Sequence, residues 1–102
     1  MKPIPLKDAV EQLAQAVEKA PPDELVEYYA ELFPAQKTRP DVSGDKAAAL
    51  AQDLAQRVRN GIEPEEVVDL WNVVFPVVQR VYYDEEDATL RPAHQVLRSE
   101  EY

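Results

Sequence analysis

Two stretches of this chain open on a proline and close on the same Phe-Pro pair. The first is "PDELVEYYAELFP", Pro22 to Pro34, and the second is "PEEVVDLWNVVFP", Pro64 to Pro76. Pro22, Glu24, Val26, Phe33 and Pro34 meet identical residues at Pro64, Glu66, Val68, Phe75 and Pro76. Asp23, Leu25, Glu27, Tyr29 and Leu32 meet residues of similar kind at Glu65, Val67, Asp69, Trp71 and Val74. Upstream, "LAQAV" at Leu13 to Val17 answers "LAQRV" at Leu54 to Val58 once a single inserted residue is allowed. Amphipathic helices resemble one another through pattern alone, but a helical pattern does not require matched Pro and Phe positions. The likeness therefore predicts a duplicated helical hairpin with a period of about 42 residues, a length common among helical repeats.

Spacing predicts four helices. Leu6, Val10, Leu13 and Val17 make the stripe of the first, and Leu50, Leu54, Val58 and Ile62 that of the third, with Ala47 and Ala51 beside them. Leu25, Val26, Tyr29, Leu32 and Phe33 line one face of the second. Val67, Trp71, Val74, Val78 and Val81 line the fourth, with Val68, Phe75 and Tyr82 alongside. Pro22 and Pro64 suit the first helical position, and the acids after them face the positive end of the helix dipole. Ser43 is the expected cap of the third helix. Gly61 is its expected stop, after Arg57 and Arg59 and before the apolar Ile62.

The expected fold is all-α: a duplicated helical hairpin forming a four-helix bundle-like domain, pseudo-twofold in arrangement, with a C-terminal extension. At 102 residues the chain suits a single domain, 1–102. It divides into a hairpin over 5–34, a linker over 35–43, a second hairpin over 44–83 and an extension over 84–102. Helix four meets Pro76, yet the stripe resumes in register at Val78, Val81 and Tyr82. The expectation is a kinked helix that continues, in preference to a break followed by a short strand "VVQRVYY". Pro92 could begin a short helix carrying Ala93, Val96 and Leu97 on one side, as a lid over helix four or as a segment that folds on a partner.

Chemistry is sparse. There is no cysteine, and from the single histidine, His94, no nucleophile–base pair can be argued. Glu24 with Glu27, and Glu66 with Asp69, pair carboxylates, but they lie far from the apolar stripe and no E-x-x-H accompanies them. No phosphate-binding glycine motif occurs. The expectation is a non-enzymatic protein without cofactor or metal. A net charge of −9 disfavours nucleic acid and anionic membranes. With no leader-like apolar run and no long apolar segment, the expected location is the cytoplasm.

What remains is surface. Tyr28, Glu31 and Ala35 of the first copy correspond to Leu70, Val73 and Val77 of the second, so helix four carries a second apolar stripe beside its core face. The C-terminal segment, a second copy of the chain or another protein could cover it. Tyr28 and Tyr83 fall off the core stripes, and aromatics near acids can anchor an interface. The expected partner-binding residues are Leu70, Val73, Val77, Tyr28 and Tyr83. The expected function is a small acidic helical interaction module, an adaptor, regulator or assembly factor, whose partner is another protein or a second copy. The alternative is an acidic inhibitor or immunity-type protein that meets a basic partner through Asp23, Glu24, Glu27, Glu31, Glu65, Glu66 and Asp69, with Tyr28.

Overall fold

The computed structural model describes residues 2–93. Four helices run α1 (Leu6–Glu18), α2 (Pro22–Leu32), α3 (Lys46–Arg59) and α4 (Pro64–Val74). Three short strands, β1 (Ile4–Pro5), β2 (Val81–Asp84) and β3 (Thr89–Pro92), form an antiparallel sheet in the order β1-β3-β2. The protein is mostly helical but not all-α. The short helix expected from Pro92, with Val96 and Leu97, and His94 lie outside the described residues; Pro92 itself closes β3.

Helices α2 and α4 have matching limits, each starting on its proline and ending just before the Phe-Pro pair. Both have proline in the first turn, and in both the N–H of the phenylalanine that ends the run donates to the carbonyl four residues back, Phe33 to Tyr29 and Phe75 to Trp71, each at 2.9 Å. The same two residues stack in each helix. Tyr29 and Phe33 have ring centroids 4.9 Å apart and Trp71 and Phe75 4.3 Å apart, both tilted. Helix α1 packs chiefly on α3, and α2 on α4. The buried residues of α1 are Ala9, Leu13, Ala14 and Val17 and those of α3 are Ala51, Leu54, Ala55 and Val58, so small residues make up half of the buried set on each of these packed helices. Alanines permit the close approach that larger side chains would prevent. Outside this seam Arg59 of α3 grips α1, its Nη2 2.9 Å from Glu11 and its Nη1 paired with Glu18. Arg57 lies over the Phe33 ring at 4.5 Å, tying α3 to the end of α2.

The ends of α3 split the expectation. Gly61 follows the helix at φ +101, a backbone that glycine adopts readily, and its N–H reaches the Val58 carbonyl at 3.3 Å. Ser43 does not cap. Its hydroxyl and N–H donate to Asp41 Oδ1 at 2.6 and 2.9 Å, and α3 begins only at Lys46. Asp41 accepts from Lys46 as well as from Ser43, and these bonds lower its carboxyl to about 2. The linker side chain thus organises its own turn, an alternative open to any short polar residue near a helix start.

The continued helix four is the main correction. Helix α4 ends at Val74, and Phe75 takes an extended backbone, ψ 156. A residue before proline is pushed out of the helical region by the pyrrolidine ring, and Pro76 has no N–H to continue the ladder. The chain makes one 3₁₀ turn at Val77–Gln79 and returns as β2. Two α4 side chains hold it there. Trp71 Nε1 donates to the Gln79 carbonyl at 2.9 Å. Asn72 Oδ1 accepts from the Val81 N–H at 2.9 Å while its Nδ2 donates to the Val81 carbonyl at 3.2 Å. The second hairpin is therefore helix–helix–strand, and residues 84–92 are not a loose extension. The "DEED" run ends β2 with Asp84 and supplies three of the four residues of the turn, 85–88, that leads to β3; Arg91 binds Asp84 at 2.7 Å and Asp87 at 2.5 Å across it. Leu90 and Val81 join the core from the sheet's inner face, and the Leu6 N–H closes on the Ala88 carbonyl at 2.9 Å.

Two substitutions test these contacts. Asn72→Ala deletes both bonds to Val81 and should lower unfolding stability by about 1–3 kcal/mol in a urea titration, with loss of the β2–β3 hairpin. Ala88 sits at φ +52, where a Cβ is strained. Ala88→Gly should raise stability by about 0.5–1 kcal/mol, read as a higher melting temperature.

Candidate interaction surface

The break at Pro76 decides what the end of α4 presents to solvent. Val77 is 76% exposed, Val78 72% and Val73 40%, and the neighbouring strand adds Tyr82 at 39%. These are the only large hydrophobic side chains so exposed among the described residues. Adjacent valines in a 3₁₀ turn cannot both point inward, and the anchors on either side, Trp71 to Gln79 and Asn72 to Val81, prevent the turn from rolling over.

The five residues expected at a partner surface separate into two groups. Val73 and Val77 lie on this exposed tip. Leu70 is fully buried and Tyr28 is 3% exposed, so both belong to the core of the chain itself. Tyr83 is half-buried on the sheet's inner face, against the core cluster. The second stripe of α4 is thus divided along its length: its first member packs inside the monomer and its last two do not. Sequence reasoning missed Val78 and Tyr82, which it placed in the core by continuing a helical register across Pro76. The signal was present in the proline itself, which makes the preceding residue extended.

Tyr28 replaces Tyr29 as the most deeply buried ring of α2. Its hydroxyl remains satisfied by donating to Glu24 Oε2 at 3.1 Å. Burial, then the bond to Glu24 and the charges of Glu24 and Glu27, push the phenol up to about 12. The folded state thus retains a proton that the unfolded chain releases near the ordinary tyrosine range. This contribution is fully present below about pH 10 and is lost as pH rises through about 12. Tyr28→Phe should flatten that alkaline loss, measured as helicity by circular dichroism against pH, and leave the neutral-pH fold intact.

A second surface feature lies between α4 and β2. A groove of about 780 Å³ opens there, with Glu63, Glu65, Asp69 and Glu85 around it and Val68, Tyr82 and Tyr83 along it. None of these four carboxylates is in an ion pair among the described residues. Of the acids expected to face a basic partner, Glu65 and Asp69 reach this groove; Asp23, Glu24, Glu27 and Glu31 are exposed on α2 and Glu66 is half-buried. Glu66 Oε1 accepts from the Glu63 N–H at 3.4 Å and so serves the start of α4.

Among the described residues no group of three or more His, Cys, Asp or Glu is placed to hold a metal ion. Among them, too, no helix is long and apolar enough to cross a membrane. Comparison with protein-family models, curated proteins and solved structures finds no significant match to this chain.

Proposed function

We propose that this chain is a small non-enzymatic protein-interaction module, an adaptor, regulator or assembly factor, whose contact surface is the apolar tip after α4. The observation that carries the reading is the pair Val77 and Val78, both more than two-thirds exposed in a turn held rigid from both sides. Exposed apolar groups on a fixed support lose little entropy when a partner covers them. The matched limits of α2 and α4, their equivalent aromatic pairs and the α1–α3 and α2–α4 packing support the descent of the two halves from one hairpin. On that reading the copies differ where contact is expected, with Val73 and Val77 standing where the first copy has Glu31 and Ala35.

The alternative, an acidic inhibitor or immunity-type protein for a basic partner, is favoured by one feature, the unneutralised carboxylates around the α4–β2 groove. The two readings predict opposite salt behaviour. Apolar contact persists at high ionic strength, whereas charge-driven association weakens.

A double substitution, Val77→Asp with Val78→Asp, tests the first reading. Both side chains are exposed, so helicity should be unchanged and unfolding stability should stay within about 0.5 kcal/mol of wild type. Association should fall: light scattering should show a dimer become a monomer if the partner is a second copy, and a heterologous complex should dissociate at high salt if it is not. A large drop in melting temperature, together with new proteolysis after Asp87, would mean the valines are packed within the chain, and the interface reading would fail.

A further inference from the structure

Strand β2 is an edge of the sheet, and its outer side is only half closed. Val81 turns its N–H and C=O away from β3, and both are taken by the Asn72 side chain. In an antiparallel strand the direction of these groups alternates, so Tyr83, two residues on, faces outward too. Among the described residues no hydrogen bond meets its main-chain N–H or C=O on that side. Here α4 and β2 separate into the groove lined by Val68, Asp69, Glu65 and Glu85. Asn72 therefore acts as a stop at one end of an open strand edge, and the groove begins beyond it.

Charge selects the occupant. A second copy pairing edge to edge would bring Glu65, Asp69 and Glu85 against their own duplicates, which is how edge strands commonly resist self-pairing. A segment carrying lysine or arginine would meet the same acids with opposite charge and would find the tyrosine rings beside them. Resting on the basic-partner reading, we propose that the β2 edge and its groove hold an extended lysine- or arginine-bearing segment of a partner protein. The segment adds main-chain bonds at Tyr83 and places its cations on Asp69 and Glu85. Edge pairing supplies the direction of the bound chain, and the acids supply the preference for basic sequence.

The probe is a short fluorescent peptide of alternating lysine and valine, followed by anisotropy at low and high salt, with a backbone N-methylated version of the same peptide as its control. The unmethylated peptide should bind at low salt and weaken as salt rises. Asp69→Lys with Glu85→Lys should reduce its affinity at least tenfold, and the Tyr83 amide should gain protection from hydrogen exchange on binding. Val77→Ser with Val78→Ser, which adds no charge, should leave this binding unchanged, because neither valine lines the groove. If both peptides bind equally and the Tyr83 amide is unaffected, the basic-partner reading survives and the edge proposal is wrong. If neither peptide binds at low salt, both are wrong. Displacement of the peptide by calcium beyond the effect of sodium at equal ionic strength, without Tyr83 protection, would make the acids a cation site and likewise overturn the proposal.

Discussion

Helix α4 ends because Phe75 cannot remain helical in front of a proline, and the rest of the C-terminal architecture depends on that stop. The missing N–H of Pro76 removes one ladder bond, and its ring moves Phe75 into extended backbone. The chain must then reverse, and it does so in a single 3₁₀ turn closed by bonds from Gln79 N–H to the Pro76 carbonyl and from Arg80 N–H to the Val77 carbonyl. Trp71 and Asn72, on the last turns of α4, capture the returning segment by its main chain. Without that capture β2 would have no fixed register on α4. With it, Val81 is delivered to the core and Val77 and Val78 are left outside.

The helical half is held by a different device. The packed helices α1 and α3 bury two alanines each, together with a leucine and a valine from each. Small residues add little area each, but they allow the large neighbours to interdigitate at crystal-like density. Arg59 reinforces the seam from outside through two acids of α1, and its bonds to Glu11 hold that carboxyl below the usual carboxylate range. These groups face solvent, so the network orients the pair more than it stabilises it. Strand β1 precedes α1 directly and pairs with β3, which joins this seam to the sheet.

The negative charge is not spread evenly in its effect. Asp84 and Asp87 are neutralised by Arg91 within the β2–β3 turn, Asp41 by Lys46 in the linker, and Glu11 and Glu18 by Arg59. The acids beside the β2 edge are left uncompensated, along with those on the exposed side of α2. Tyr82, one of the four large apolar side chains exposed among the described residues, also lines the acidic groove.

Local rules were sufficient to find the helices. Proline at the first turn, acids after it, Gly61 beyond α3 and the three-four spacing of apolar residues located all four, because each depends on contacts within a few residues of the chain. The Phe-Pro ending common to α2 and α4 was visible, yet the apolar stripe resuming at Val78 and Val81 led to a continued helix four, where Pro76 in fact acts as Pro34 does. The burial of Tyr28 over Tyr29, and of Leu70 beside Trp71, was not. Adjacent residues on a helix share a broad apolar face, and only the direction of the neighbouring helices decides which is inside. The sheet was hidden for a stronger reason. Ile4 pairs with Leu90 from the opposite end of the chain, and "VVQRVYY" is apolar enough to satisfy a helical period or a strand. Local pattern located the four helices and the Gly61 stop of α3, but it misplaced the start of α3 at Ser43 and ran helix four past Pro76. The side chains of Trp71 and Asn72, reaching across space to a segment with no local preference, decided that the chain beyond Pro76 returns as a strand.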